Sequence, residues 1–327
     1  MTETDTETVL VTGGTGYVGS YLARALVEEG HEVVAFDAGA ADRLLDRLGV
    51  REAVEVVRGD VTDLAALART VREHDVTRIV HLAALLSEDV EADTLGSTRV
   101  NTLGTNNALE AARLFPERVE RVVLASSETV YAPGSRYDEV PVEEDTLLCP
   151  DSPYSAAKRY GECLAETYRE DHGVSAVALR PTGVFGPFRR SFTAFAELFE
   201  NPAVGEPTRV RNGGTAVSWL HVADAADAFR RAALAPAGAL SHGVYNVRGD
   251  VATVAEAAEA VRDLLDDASV EVDVELADHA DLDWSAQNLS LSRSRADLGY
   301  EVEYGLPVFA REYVNAVRED AGHPPVG

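Results

Sequence analysis

This sequence predicts an α/β chain: a Rossmann-type, doubly wound parallel sheet with a smaller C-terminal substrate lobe. Three observations carry that expectation. Short Val- and Ile-rich runs alternate with amphipathic segments through the first 180 residues, a glycine-spaced turn (VTGGTGYVG, 11–19) follows the first run, and the alternation loosens after about residue 181. Strands separated by helices require right-handed crossovers, which cover both faces of a parallel sheet.

The runs TVLVTG (8–13), HEVVAFD (31–37), AVEVVRGD (53–60), RIVHLAA (78–84), RVVLASS (121–127) and SAVALRP (175–181) are continuous enough to be strands buried on both faces. Helical periodicity covers 17–29, 63–74, 97–114 and 154–171, with Gly30 and Gly173 placed as C-cap glycines. Beyond these, FTAFAELFE (192–200) and TVAEAAEAVRDLLDDA (253–268) read as helices and VEVDVEL (270–276) as a strand. Residues 1–181 are expected to form the first domain and 182–327 mostly the substrate lobe. The segment 217–248, which begins VSWLHVADAADAFRRAAL, is expected to return to the first domain.

A chain of 327 residues is long enough for a core that stands without staples. Its formal net charge of −27 argues against nucleic acid as a partner, because a phosphate backbone requires basic surface. No apolar run approaches the roughly 18 residues of a membrane span. The N-terminus has no basic region ahead of an apolar stretch. Cys149 and Cys163 form neither a metal spacing nor a disulfide framework. A cytoplasmic protein without a metal is expected. Of the 29 basic residues only Lys158 is lysine, and the excess of acids is spread along the chain. That substitution pattern suits concentrated salt, where screening lengths fall to about 3 Å at 1 M, and predicts a halophilic source.

Gly13, Gly16 and Gly19 follow the spacing G-x-x-G-x-x-G between the first strand and the first helix. Glycines there permit a tight turn and close approach of backbone to a pyrophosphate, which then rests on the helix N-terminus. Asp37 ends the next strand 18 residues after Gly19, where an acid accepts hydrogen bonds from ribose hydroxyls. This favours NAD over NADP, although Arg43 softens the preference. The plainer alternative makes Asp37 the cap of a helix starting near residue 40.

Tyr154 and Lys158 lie four residues apart on a predicted helix, so both project from one face. A phenol has a pKa near 10, and an ammonium together with a positive nicotinamide ring would lower it toward neutrality. The resulting phenolate takes a proton from a hydroxyl while hydride leaves its carbon. A compact ammonium suits that position better than a planar guanidinium.

With these motifs the chain resembles the extended short-chain dehydrogenases/reductases, in the NAD-dependent epimerase/dehydratase group. The matching segments are TGGTGYVG (12–19), GDVTD (59–63), HLAA (81–84), VNTLGT (100–105), ASSETVYA (125–132), YSAAK (154–158), LRPTGVFGP (179–187) and VSWLHVADAADA (217–228). The resemblance implies Tyr154 as acid/base, Lys158 as its electrostatic partner and ribose ligand, and Ser127 as hydrogen-bond donor to the reacting oxygen, with Ser126 as the competing hydroxyl. It places Gly13, Gly16, Tyr17, Val18 and Gly19 on the pyrophosphate, Asp60 and Val61 at the adenine, and Leu82, Ala83 and Asn101 along the dinucleotide. It also implies a homodimer or homotetramer.

Departures from the family pattern narrow the substrate. Dehydratases of this group carry an Asp-Glu pair after the strand-end hydroxyl, where this chain has Glu128 and Thr129. Nucleotide-sugar epimerases carry an asparagine and an arginine for the substrate pyrophosphate, where this chain has Gly183 and Val217. The expected activity is therefore oxidation of a small free sugar or related hydroxy compound, with a nucleotide-sugar 4-epimerase as the rival. Ser87 is a candidate pocket hydroxyl or a helix cap. Arg189 and Arg190 stand near the carboxylate-binding arginine of uronate dehydrogenases, with solvated surface charges as the plainer reading. His221 and Asp224 are expected to be structural.

Overall fold

The computed structural model describes residues 6–39, 42–86, 92–137, 140–189, 195–210, 212–265, 272–274 and 287–327. The chain enters through β1 (Thr8–Thr12) and α1 (Tyr17–Glu28), then β2 (Glu32–Asp37), α2 (Arg43–Arg47), β3 (Val54–Arg58), α3 (Leu64–Glu73) and β4 (Arg78–His81). It continues through α4 (Thr94–Thr98), α5 (Thr105–Leu114), β5 (Arg121–Ala125), α6 (Pro153–His172), β6 (Ala176–Pro181) and β7 (Val184–Phe185). The remaining elements are α7 (Glu197–Ala203), β8 (Thr208–Val210), β9 (Ala216–His221), α8 (Val222–Leu234), β10 (Val244–Val247), β11 (Asp250–Thr253), α9 (Val254–Leu264), β12 (Val272–Val274) and α10 (Leu306–Asp320).

Seven parallel strands form the main sheet in the order β10-β6-β5-β4-β1-β2-β3. Alternate residues of each strand serve opposite faces. Val9 and Val11 pack with Leu22 and Leu26 of α1 and Phe229 of α8. Leu10, between them, packs with Leu67 and Val71 of α3, Leu109 of α5 and Tyr168 of α6. Each such side chain contributes about 1.5–3 kcal/mol when fully buried. Strand order reverses between β1 and β4, so a crevice opens at their carboxyl ends, the position that binds ligands in sheets of this kind.

Within 217–248, α8 and β10 join the main sheet, whereas β9 pairs with β7 and β11 in a separate three-stranded sheet. Around that smaller sheet, Trp219 gathers Phe185, Phe199 and Phe309 at centroid distances of 5.3–6.0 Å. The helix expected over 253–268 is α9, opened by a Thr253–Glu256 capping box. Of the strand expected over 270–276, β12 covers 272–274 and pairs with β8; the other positions lie outside the described residues.

The single helix expected over 97–114 is interrupted by a π-type turn at Arg99–Gly104. Hydroxyls of Thr98, Thr102 and Thr105 donate back to carbonyls four residues earlier, at 2.8, 2.6 and 2.9 Å. Such back-bonding competes with regular helix geometry. Asn101 meanwhile clamps the strand-end segment, accepting from the Leu85 amide and donating to its carbonyl, both at 2.8 Å.

Arg180 of β6 and Glu162 of α6 form a buried bidentate pair, with Nε–Oε1 at 2.7 Å and Nη2–Oε2 at 2.9 Å. Arg180 Nη1 also donates to the Tyr131 hydroxyl (2.7 Å) and the Glu144 carbonyl (3.0 Å). Burial pushes the Glu162 carboxyl up, but the guanidinium overrides it and holds the group below its ordinary range. Removing one partner strands the other charge, at a cost of about 3–5 kcal/mol. Arg180→Met is expected to lower unfolding free energy by that amount in denaturant titration. A loss under about 1 kcal/mol contradicts this role.

Candidate active site

The crevice floor is the glycine turn. Gly13 has φ of +68° and its amide donates to the Phe36 carbonyl at 2.9 Å. A Cβ on Gly13 would lie 2.9 Å from the Ala83 nitrogen, one on Gly14 2.7 Å from Ala35 Cα, and one on Gly19 2.3 Å from the Gly13 carbonyl oxygen. Gly16 is the N-cap of α1, with no side-chain cap and no acid in the first turn, where Tyr17 and Val18 are the first helical residues. These amides form a positive helix end open to an anion. The cradle therefore fits a dinucleotide pyrophosphate.

Asp37 is not a cap for α2, whose N-cap is Asp42. Its carboxylate instead accepts from the Thr15 amide at 3.1 Å and the Gly39 amide at 2.9 Å, which brings it against the glycine turn. Leu82 and Ala83 cover the turn from β4: their amides donate to the Thr12 carbonyl (3.1 Å) and hydroxyl (3.3 Å). Asp60 accepts from the Thr62 amide at 2.8 Å, and Val61 is buried, its carbonyl receiving Asn107 Nδ2 at 2.9 Å. Both follow β3, next to β2, and Gly59 N donates to the Asp37 carbonyl at 2.9 Å.

Ser152 opens α6 with a capping box to Ser155 and Pro153 in the first turn, which fixes Tyr154 at the helix start. Lys158, one turn on, has Nζ 5.4 Å from the centre of the Tyr154 ring and donates to the Ala125 carbonyl at 2.8 Å. Burial lowers its pKa to about 8. His81, buried between Thr12 (2.8 Å) and Thr105 (3.2 Å), is lowered to about 3 by burial and by Lys158.

The two strand-end serines divide cleanly. Ser126 Oγ donates to Glu162 at 2.6 Å, inside the buried pair, while Ser127 acts on the Tyr154 phenol and favours its ionised form. Ser127 also lies 3.1 Å from Glu128 Oε2 and accepts from Thr129 N (3.2 Å) and Thr129 Oγ1 (3.0 Å). Burial raises the Tyr154 pKa well above its ordinary value and Glu128 adds to the rise, while Ser127 and Arg189 oppose it. The expected shift toward neutrality relied on a bound nicotinamide as well as Lys158; the protein's own groups leave the phenol raised because burial dominates.

Arg189 is no solvated surface charge. It is partly buried, donates to the Val184 carbonyl, and sits 5.9 Å from the centre of the Tyr17 ring, in the field of Glu128 and Tyr154. Ser87 and Arg190 lie outside the described residues. In the sequence Glu128 stands out only as half of a missing acid pair, yet its carboxyl lies in the site beside Ser127, raised by burial to about 7. The available signal was its position directly after Ser127. Val217 is wholly buried in the core around Trp219, and His221 N-caps α8 through the Ala223 amide. Asp224 accepts from the amides of Glu303 and Tyr304.

A family model described as NAD dependent epimerase/dehydratase family matches residues 9–247. The chain is 30% identical over 231 residues to dTDP-glucose 4,6-dehydratase of Mycobacterium tuberculosis, covering 68% of this chain and 67% of that protein. Two solved structures share the fold over nearly their whole lengths. GalE-like L-threonine dehydrogenase from Cupriavidus necator matches with a TM-score of 0.78 at 25% identity, over 94% of this chain and 98% of that one. UDP-glucose 4-epimerase from Thermus thermophilus, solved with NAD, matches with a TM-score of 0.77 at 29% identity, over 95% and 99%.

Because a Cβ at position 19 collides with backbone rather than a flexible side chain, Gly19→Ala must push α1 off the turn. The expected cost is about 1–3 kcal/mol of overpacking, with weakened NAD affinity in calorimetric titration. Unchanged affinity contradicts the cradle.

Proposed function

The chain belongs to the NAD dependent epimerase/dehydratase family of NAD-dependent enzymes, and from that premise we propose that it is a dehydrogenase oxidising a hydroxyl of a small free sugar or related hydroxy compound. The observation that carries the reading is the convergence of Ser127, Tyr154 and Lys158 around the end of β5. Ser127 and Tyr154 hold the substrate hydroxyl, and Tyr154 takes its proton. Lys158, anchored on the Ala125 carbonyl, holds its ammonium beside the Tyr154 ring. Gly13, Gly16, Tyr17, Val18 and Gly19 would hold the pyrophosphate of NAD, Asp37 and Lys158 its riboses, and Asp60, Val61, Leu82, Ala83 and Asn101 the path between. When bound, NAD supplies the hydride acceptor and a positive ring that opposes the burial cost of a Tyr154 phenolate. The Asp37 carboxylate repels a 2′-phosphate, which favours NAD over NADP.

Two positions favour a small substrate. Gly183 offers no side-chain amide for a diphosphate, and Val217 is committed to an apolar core. A nucleotide-sugar 4-epimerase is the second reading, favoured by the 29% identity to the Thermus thermophilus enzyme. It would use the same Ser127, Tyr154 and Lys158 to oxidise and re-reduce one carbon.

Tyr154→Phe is expected to lower kcat about 10²–10⁴-fold with NAD affinity retained. Full turnover by that variant sinks the assignment. Free aldoses, uronates, threonine and UDP-sugars, assayed with NAD, separate the readings: a dehydrogenase releases NADH, whereas an epimerase converts UDP-glucose with no net absorbance change.

A further inference from the structure

A hydroxyl has one proton to give and two lone pairs to accept with. At Ser127 both acceptor positions are occupied by Thr129, through its amide at 3.2 Å and its hydroxyl at 3.0 Å. The one Ser127 proton is directed at Glu128 Oε2, 3.1 Å away, while the Tyr154 phenol is the neighbouring acid whose ionised form Ser127 favours. An ionised Glu128 takes that proton and also repels a phenolate at Tyr154. A protonated Glu128 carries no charge and is the weaker acceptor, which leaves the Ser127 proton for Tyr154.

We propose that Glu128 is a positioning residue whose protonation state decides which oxygen receives the Ser127 proton, so that Ser127 serves the Tyr154 phenolate and the reacting oxygen only while Glu128 is protonated. The inference rests on the reading of Tyr154 as acid/base. The proton balance is simple: the substrate proton goes to Tyr154, Ser127 keeps its proton while donating it in a hydrogen bond, and Glu128 gains or loses one proton to solvent. Two charged or titratable groups act on the carboxyl. Tyr154 faces it from α6, and Arg189, from the segment after β7, pulls it toward the ionised form. Lys158 is held one turn further along α6 on the Ala125 carbonyl. Tyr17 and Tyr313 lie in turn around Arg189. Burial outweighs the stabilising contacts and leaves Glu128 titrating at about 7, inside the working range of an enzyme.

The sign of the effect follows. As pH rises through that value Glu128 ionises, the Ser127 proton turns away and the Tyr154 phenolate is disfavoured, so kcat falls on the alkaline side. Glu128→Gln mimics the protonated acid, because its amide carries no charge at any pH to draw the Ser127 proton or to repel a phenolate at Tyr154. The test is the pH profile of kcat for NAD-linked oxidation. The variant is expected to lose the alkaline fall, with its optimum displaced upward by about one pH unit or more, the size of a carboxyl titration removed from the profile. A profile superimposable on wild type overturns the proposal, as does inactivity at all pH with NAD binding intact. Should the amide prevent folding, Glu128→Asp retains a carboxylate withdrawn by one methylene; its alkaline fall should move along the pH axis, and an unmoved profile overturns the proposal equally. Full activity in Tyr154→Phe removes the functional reading and this inference together. An inactive Tyr154→Phe beside an unaltered Glu128→Gln profile removes only the inference.

Discussion

The Glu162–Arg180 pair is the constraint on which the site depends. It joins α6, which carries Tyr154 and Lys158, to β6, and it receives Ser126 from the end of β5. Through Tyr131, whose hydroxyl donates to Asn246 Oδ1 at 2.8 Å, it reaches β10 at the edge of the sheet. A lone charge in this interior is strongly disfavoured, so both partners must meet, and their meeting sets how far α6 can slide along the sheet. The register of Tyr154 against Ser127 follows from it.

Burial, which drives the fold, also governs the chemistry of the site. It raises the acids Tyr154 and Glu128 and lowers the bases Lys158 and His81, each shift favouring the neutral form. The protein answers with hydrogen bonds of fixed geometry instead of many compensating charges. Lys158 donates to a carbonyl and His81 meets two threonines, and the field of Arg189 opposes the ionisation costs at Glu128 and Tyr154. A compact ammonium suits the bond to Ala125 better than a broad guanidinium, in keeping with a chain that uses arginine at every other strong cation.

The parallel sheet, the glycine turn and the helix bearing Tyr154 and Lys158 were determined by the sequence itself. Their signals are local: continuous apolar runs, a three-glycine spacing, and an i,i+4 pair on one helix. Tertiary structure decided the rest. Which serine faces Tyr154 depended on Ser126 finding Glu162, 36 residues away. Thr hydroxyls and the Asn101 clamp broke a helix that periodicity alone drew as continuous. Arg189 and Glu128, separated by 61 positions, share one field only in the folded chain. Local pattern encodes the direction of a backbone; the environment of a buried charge is a sum over distant neighbours, and only the folded chain brings those neighbours together.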